Sequence, residues 1–245
     1  MKKLSLFIIT FISQFYFTQY QPKNLSSVDI KKANSWVDIT YNSLSQDEKL
    51  GQLFIVALYT NKGEDFINQI RNIVVNDKIG GLILMQDDAA REINLVNEFQ
   101  SKSKVPLMIG MDAEWGLFQR IAKAHKFPWA ITLGAIQDKN LIYEMSAKIA
   151  EDCKRMGINW DFAPVVDVNT NPNNPIIGNR SFGSDVNNVV NSALAYSSGL
   201  QDNKILAAIK HFPGHGDTST DSHLDLPVVS HNLERLEKIE IAPFK

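Results

Sequence analysis

Short apolar runs alternate with amphipathic stretches along most of this chain. Residues 54–59, 79–85, 106–111, 158–166 and 205–209 are near-continuous apolar segments of strand length. Between them, residues 64–76 set Phe66, Ile67, Ile70 and Ile73 at helical spacing, and residues 89–102 do the same with Ile93, Val96 and Phe99. Residues 141–156 and 185–203 are two further helical stretches. Continuous apolar strands separated by amphipathic helices predict a parallel sheet covered by helices. The repeat has the length of a β/α module. Five such modules fit a (β/α)8 TIM-type barrel that stops early, an α/β class, or a doubly wound open sheet. No Gly-x-Gly-x-x-Gly follows the first strand, which disfavours the dinucleotide-binding form of the second. Upstream, a helix is expected over residues 30–44. Ser45-Gln-Asp-Glu48 is a capping-box pattern that should start a short helix.

The first residues break this pattern. Lys2 and Lys3 precede an apolar stretch over residues 4–12, with a softer tail to Phe17. That is shorter than the roughly 20 residues a membrane-spanning helix needs. A signal peptide over residues 1–20 is expected, cut somewhere within residues 13–22, with a polar lead-in over 21–44 and the main domain over 45–245. A periplasmic or secreted location follows, with no stable membrane span after cleavage; the alternative is an uncleaved anchor. The 245 residues are 44% hydrophobic, enough for one large core or two modest ones. A formal net charge of −2, with no basic block outside the N-terminus, argues against a nucleic-acid partner. One cysteine, Cys153, excludes an intrachain disulfide framework and is expected to pack as a small apolar residue.

The chemistry gathers at strand ends, where α/β folds place their sites. Asp112 ends the third strand. The fourth runs into Asp167 and a long Asn/Pro loop over residues 169–183 that contains Arg180. Lys210 and His211 end the fifth. An Asp, an Arg, a Lys and a His on one rim suit a polyhydroxylated ligand, because carboxylate and cation clamp vicinal hydroxyls from both sides. Each also has a plainer reading. Asp112 alone is a helix cap, Arg180 alone pins its own loop, Asp167 is read as structural support for that loop, and Glu114 holds its loop through backbone amides. Trp160 and Asp161 alternate along strand four, so one of them faces the interior.

Beyond Lys210 the chain is dense in histidine and aspartate: His211, His215, Asp217, Asp221, His223, Asp225 and His231, from only five histidines in all. Three readings stand level on the residues alone. One is a metal site using His211-x3-His215 with Asp217 or His223. Pro213 and Gly214 argue against a helix presenting both histidines. The second is a self-satisfied structural loop. The third is proton transfer by the Asp221-x-His223 pair.

Taken together, these motifs resemble glycoside hydrolase family 3, in its β-N-acetylglucosaminidase branch. Lys210-His-Phe-Pro-Gly-His-Gly-Asp-Thr218, Asp221-Ser-His223 and Leu226-Pro227 carry the resemblance. Glu48-Lys-Leu-Gly-Gln52, Gly80-Gly-Leu-Ile-Leu84, Asp112-x-Glu114, Phe162-Ala-Pro-Val-Val-Asp167 and Asn179-Arg-Ser-Phe-Gly183 stand in the family's order over residues 45–245. The resemblance implies a (β/α)8 barrel or a variant of it, and a cofactor-free retaining hydrolase that removes terminal β-linked N-acetylglucosamine from peptidoglycan or chitin-type fragments. It implies sugar binding by Asp112, Arg180, Lys210 and His211, and an acid/base dyad of Asp221 and His223 in place of the usual carboxylate pair.

Two departures qualify it. Trp115 stands where many relatives have glycine, and is expected to stack on a sugar face or narrow the site. The family's nucleophile is an aspartate near the end of strand seven, and nothing up to Lys245 matches it. The expectation is therefore a segment of a longer enzyme that has no turnover alone and whose five-stranded sheet leaves its edges open. The competing functions are a metal-dependent hydrolase and a noncatalytic carbohydrate-binding remnant.

Overall fold

The computed structural model describes residues 27–245, with side chains from residue 31 onward. The expected signal peptide and residues 21–26 of the lead-in lie outside the described residues. Helix α1 (Ser27–Ser43) and the short α2 (Gln46–Gly51) precede five β/α units. The strands are β1 (Ile55–Leu58), β2 (Gly81–Leu84), β3 (Met108–Met111), β4 (Trp160–Asp161) and β5 (Leu206–Ala207). They form one parallel sheet in the order β1-β2-β3-β4-β5, with Leu58 opposite Leu84, Met111 opposite Asp161, and Asp161 opposite Ala207. The sheet is open, as expected of an incomplete (β/α)8 barrel. Its edges are apolar: Leu53, Phe54 and Ile55 are exposed beside β1, and Leu206 and Ile209 beside β5. Among the described residues no helix is long and apolar enough to cross a membrane.

Local chemistry sets the helix starts. The Ser45 hydroxyl accepts from the Glu48 amide while Glu48 accepts from the Ser45 amide, so the capping box forms as the sequence predicts. Asp88, Asp138, Asp185 and Asn232 cap α4 (Ala89–Lys102), α6 (Lys139–Arg155), α7 (Val186–Asp202) and α8 (Leu233–Lys238) through their side-chain oxygens. The apolar face of α3 (Glu64–Asn72) buries Ile67 and Ile70, and that of α4 buries Val96 and Phe99. These pack with Leu82, Leu84 and Ile109 into one core, which also holds Ile142, Ile149, the free Cys153 and Tyr196. Helices α6 and α7 lie so close that a Cβ on Gly199 would stand 1.9 Å from Ser146 Oγ and 2.4 Å from the Tyr143 carbonyl.

Two expectations change. Residues 158–166 do not form one strand. Pro164 lacks an N–H, and the chain leaves the ladder after Asp161. Beyond it the Ala163 and Pro164 carbonyls still accept from the Ala208 and Lys210 amides, and a bridge joins Val165 and Lys210. Strand five is shorter than residues 205–209 and half-exposed, because no described strand pairs with its far side. Residues 112–138, to which the periodicity assigns no element, contain a 3-10 turn at Leu117–Gln119 and the short α5 (Ala130–Gly134). There Trp115 packs on Trp129, ring centroids 4.1 Å apart.

One buried group has no counterpart. Glu92 on α4 is fully buried, and neither carboxylate oxygen has a hydrogen-bond partner among the described residues. Burial, then the nearby Asp87 and Asp88, push its pKa from 4.5 up to about 8. The folded state therefore holds a proton that the unfolded chain releases above pH 4.5, and stability falls as pH rises through about 8. Glu92→Met removes this penalty. Its melting temperature should exceed that of the parent at pH 9, by an amount reflecting a few kcal/mol, on the order of 1.4 per pKa unit. The gain should shrink towards pH 5. An equal effect at both pH values, read by circular dichroism, would show that packing and not charge decides this position.

Candidate active site

The C-terminal ends of β3, β4 and β5 converge on a cavity of about 560 Å³. Asp112, Glu114, Arg120, Arg180, Lys210, His211 and His223 are among its lining residues. Asp112 follows β3 directly, and Lys210 and His211 follow β5. The β4–α7 loop returns over the cavity and delivers Arg180 from a 3-10 turn at Gly178–Arg180. All four sequence-predicted sugar-binding residues thus meet at one place.

Their charges interlock. Lys210 Nζ donates to Asp112 Oδ1 at 2.9 Å and pairs with Glu114 Oε1 at 2.9 Å. Arg180 grips Glu114 with two parallel bonds, Nε to Oε2 at 2.9 Å and Nη2 to Oε1 at 2.8 Å. Arg120 pairs with the other oxygen of Asp112. Burial works against ionising Asp112, but Lys210 and Arg120 outweigh it and hold the carboxyl below its ordinary value. For Glu114 burial is likewise outweighed, here by Arg180 and Lys210. Burial also opposes the charge on Arg180, and Glu114 more than compensates.

The histidines are oriented by Asp167, which is fully buried. Arg180 Nη2 lies 3.2 Å from His211 Nε2, and Arg180 has only donors. His211 Nε2 is therefore the acceptor, and Nδ1 carries the proton and donates to Asp167 Oδ2 at 2.6 Å. The other Asp167 oxygen accepts the His215 amide at 2.6 Å. Deeper in, Asp161 accepts the Ala113 amide at 3.0 Å through one oxygen and, among the described residues, has no partner at the other. Burial drives its pKa up to about 7, against the pull of that amide and of Lys210. Asp161, not Trp160, is thus the buried member of strand four.

Asp221 and His223 approach from the loop after β5. His223 Nδ1 lies 2.7 Å from Asp221 Oδ1, which also accepts the His223 amide at 2.9 Å. These two bonds hold the Asp221 carboxyl below its ordinary value. His223 and Ser222 line the cavity, although the His223 side chain is 75% exposed.

Several expectations are revised by this geometry. Glu114 does not serve backbone amides; its carboxylate is the shared counter-ion of Arg180 and Lys210. The Asp167 side chain holds the histidine loop, while its carbonyl accepts from Ser181 in the Asn/Pro loop. Trp115 stacks on Trp129 and does not line the cavity; Phe162 and Ile176 provide its apolar wall. His211 and His215 do not converge as metal ligands. Their rings are perpendicular at 6.1 Å, and Nδ1 of each is committed, to Asp167 and to Thr218. Arg120 had no sequence signal. It reaches Asp112 only because the 3-10 turn after β3 brings it back.

Residues 45–245 match the family described as Glycosyl hydrolase family 3 N terminal domain. The chain is 38% identical to beta-hexosaminidase A of Pseudoalteromonas piscicida over 189 residues, covering 72% of this chain and 32% of that protein. It is 33% identical to a beta-N-acetylglucosaminidase/beta-glucosidase of Cellulomonas fimi over 200 residues, covering 82% and 35%. The solved glycoside hydrolase family 3 beta-N-acetylglucosaminidase of Paenibacillus sp. str. FPU-7 superposes with a TM-score of 0.76 at 36% identity, over 82% of this chain and 39% of that one. The chain thus spans about a third of the length of these relatives. With residues 45–245 matched and relatives of this identity, it belongs to glycosyl hydrolase family 3.

Proposed function

We propose that this chain is part of an exported, retaining β-N-acetylglucosaminidase that removes terminal β-linked N-acetylglucosamine from peptidoglycan or chitin-type fragments. The observation that carries the reading is the Asp221–His223 pair, whose histidine lines the same cavity as Asp112, Arg180, Lys210 and His211. Similarity to proteins named beta-hexosaminidase and beta-N-acetylglucosaminidase supports the branch. Lys2, Lys3 and the apolar stretch behind them support export.

In this reading Asp112, Lys210, Arg180 and His211 bind the sugar hydroxyls. As the C1–O bond breaks, His223 gives its proton to the departing oxygen. In the second step the neutral imidazole takes a proton from water, which attacks C1 as the bond between C1 and the nucleophilic carboxylate breaks and frees that carboxylate. Asp221 orients the ring throughout. The covalent step belongs to a carboxylate that is not among the residues gathered at this cavity, and we place it elsewhere in a longer enzyme.

The test is an assay of the full-length gene product, recovered from the periplasm or medium, on aryl β-N-acetylglucosaminide and aryl β-glucoside. Higher kcat/KM on the N-acetylglucosaminide is expected. Equal or better turnover of the glucoside would remove the branch assignment. Saturable sugar binding without turnover of either would leave a carbohydrate-binding protein instead.

A further inference from the structure

The segment that carries Asp221 and His223 leaves the body of the protein after residue 218 and rejoins it at residue 231. Leu224, Leu226 and Val228 are largely exposed on it. Among the described residues, the hydrogen bonds of residues 219–230 stay within the segment: His223 to Asp221, Leu224 and Asp225 to the Asp221 carbonyl, and Leu226 to Asp225. Its position over the cavity is therefore set at its two ends.

Those ends meet. His231 Nε2 contacts Asp217 Oδ2 directly across the base of the excursion. Each side of this contact is fixed to the body. On the Asp217 side, Gly216 lies against the Val168 carbonyl so closely that a Cβ would stand 1.9 Å from it. Asn174 Nδ2 donates to the His215 and Thr218 carbonyls at 2.7 and 3.1 Å. On the other side, Arg235 Nη2 lies 3.1 Å from Glu240 Oε1 and 3.7 Å from Asp217 Oδ2. Glu240 is 97% buried, at 3% exposure, so this pair is anchored in the body.

We propose that Asp217 and His231 are positioning residues: their contact closes the base of this segment and holds the Asp221–His223 pair over the cavity. For its consequence in catalysis the proposal rests on the acid/base reading given above. Physically, a tie at the base shortens the free excursion and limits where the imidazole travels. A general acid displaced by about 1 Å can lose on the order of 10²-fold in rate. The ligating atoms of Asp217, His231 and Glu240 also lie within 4.8 Å of one another, which is the spacing of a metal site. A cation already stands among them, however: the guanidinium of Arg235 faces both carboxylates. The cluster is thus read as an ion-paired tie.

Two measurements test it. The first needs no turnover. Amide hydrogen exchange over residues 219–230 should accelerate about 10-fold or more in His231→Ala and in Asp217→Ala, with little further change in the double variant, because each breaks the same contact. His231→Gln keeps a donor to Asp217 and should restore protection. Unchanged exchange, or single effects that add in full, would overturn the tie. The second measurement uses the full-length gene product. His231→Ala should lower kcat about 10-fold on substrates with poor leaving groups and much less on activated aryl ones, with KM little changed. An equal loss on both kinds of substrate would mark a purely structural role and overturn the positioning claim. If the parent enzyme hydrolyses nothing, the acid/base reading fails while the exchange experiment still decides the tie. Zinc alone is the remaining probe. Stoichiometric Zn2+ binding by the parent chain, lost in His231→Ala, with faster exchange of residues 219–230 on chelation, would replace the tie with a metal site.

Discussion

Replacing His223 with alanine should slow the full-length enzyme by about 10²–10⁴-fold on substrates whose leaving group is another sugar, and far less on aryl substrates with acidic leaving groups. The reason is the charge that a departing oxygen must carry. A sugar alkoxide is a poor leaving group and needs a proton as the C1–O bond breaks. An activated phenolate departs with little help. In our reading His223 gives that proton: it lines the cavity, and its Nδ1 is held at 2.7 Å by Asp221, which leaves Nε2 free to react. Asp221→Ala keeps the imidazole but loses the bond that orients it, so the same pattern should recur in a milder form. The measurement is kcat/KM across a series of aryl leaving groups of graded pKa, with circular dichroism to verify folding. A folded His223→Ala protein with the parent's dependence on leaving-group pKa would refute the acid role.

Glu114→Ala should have an effect of a different kind. Glu114 is 6% exposed in its side chain and is counter-ion to two cations, Arg180 through two bonds and Lys210 at 2.9 Å. Removing one partner of a buried pair leaves uncompensated charge and costs about 3–5 kcal/mol. In chemical denaturation the midpoint should fall accordingly. Both cations that contact the sugar in our reading would lose their anchor, so KM should rise on all substrates alike, without the leaving-group dependence seen at His223. Glu114→Gln keeps the shape and one acceptor and should be less severe. The pH dependence has a definite sign. The folded pKa of Glu114 lies below 4.5, so its stabilisation is fully present above that value and is lost as pH falls through the folded one. The stability gap between parent and Glu114→Ala should therefore close in acid. A gap that stays constant down to the acid limit would mean that Glu114 matters for packing and not for charge.

Much of this architecture is legible in the sequence because its causes are local. A strand buried on both faces must be apolar throughout, and the runs around Leu58, Leu82 and Ile109 announce themselves. A cap needs an oxygen two or three residues from the amide it satisfies, so Ser45 marks a helix start. What resists reading depends on partners far apart in the chain. Glu114 meets Arg180 across 66 residues, and nothing near Glu114 distinguishes a counter-ion from a loop support. Asp167 meets His211 across 44 residues, with the same ambiguity. Strand four misleads for a local reason: residues 158–166 have the composition of a strand, but Pro164 cannot donate to the ladder. That Asp112, Arg180, Lys210 and His211 stand together at one cavity is legible because each ends a strand or stands in the one long loop. The place of Arg120 is not, because a single 3-10 turn decides where it points.

The floor of the cavity has one further consequence. Asp112 and Glu114 pair with Arg120, Arg180 and Lys210 in one interlocked set of contacts, and Asp167, bonded to His211, stands close enough to favour the charge on Arg180. With the buried Asp161, of pKa about 7, set aside, this set of three carboxylates and three cations is balanced. It projects little field into the solvent and gathers no ions at a distance, yet it alternates in sign over a few ångströms. Such a surface suits an uncharged polyol, whose hydroxyls each donate to one neighbour and accept from the next. Ionic strength acts on long-range fields and screens contacts of this length weakly. Capture of a neutral sugar here should therefore be nearly indifferent to salt.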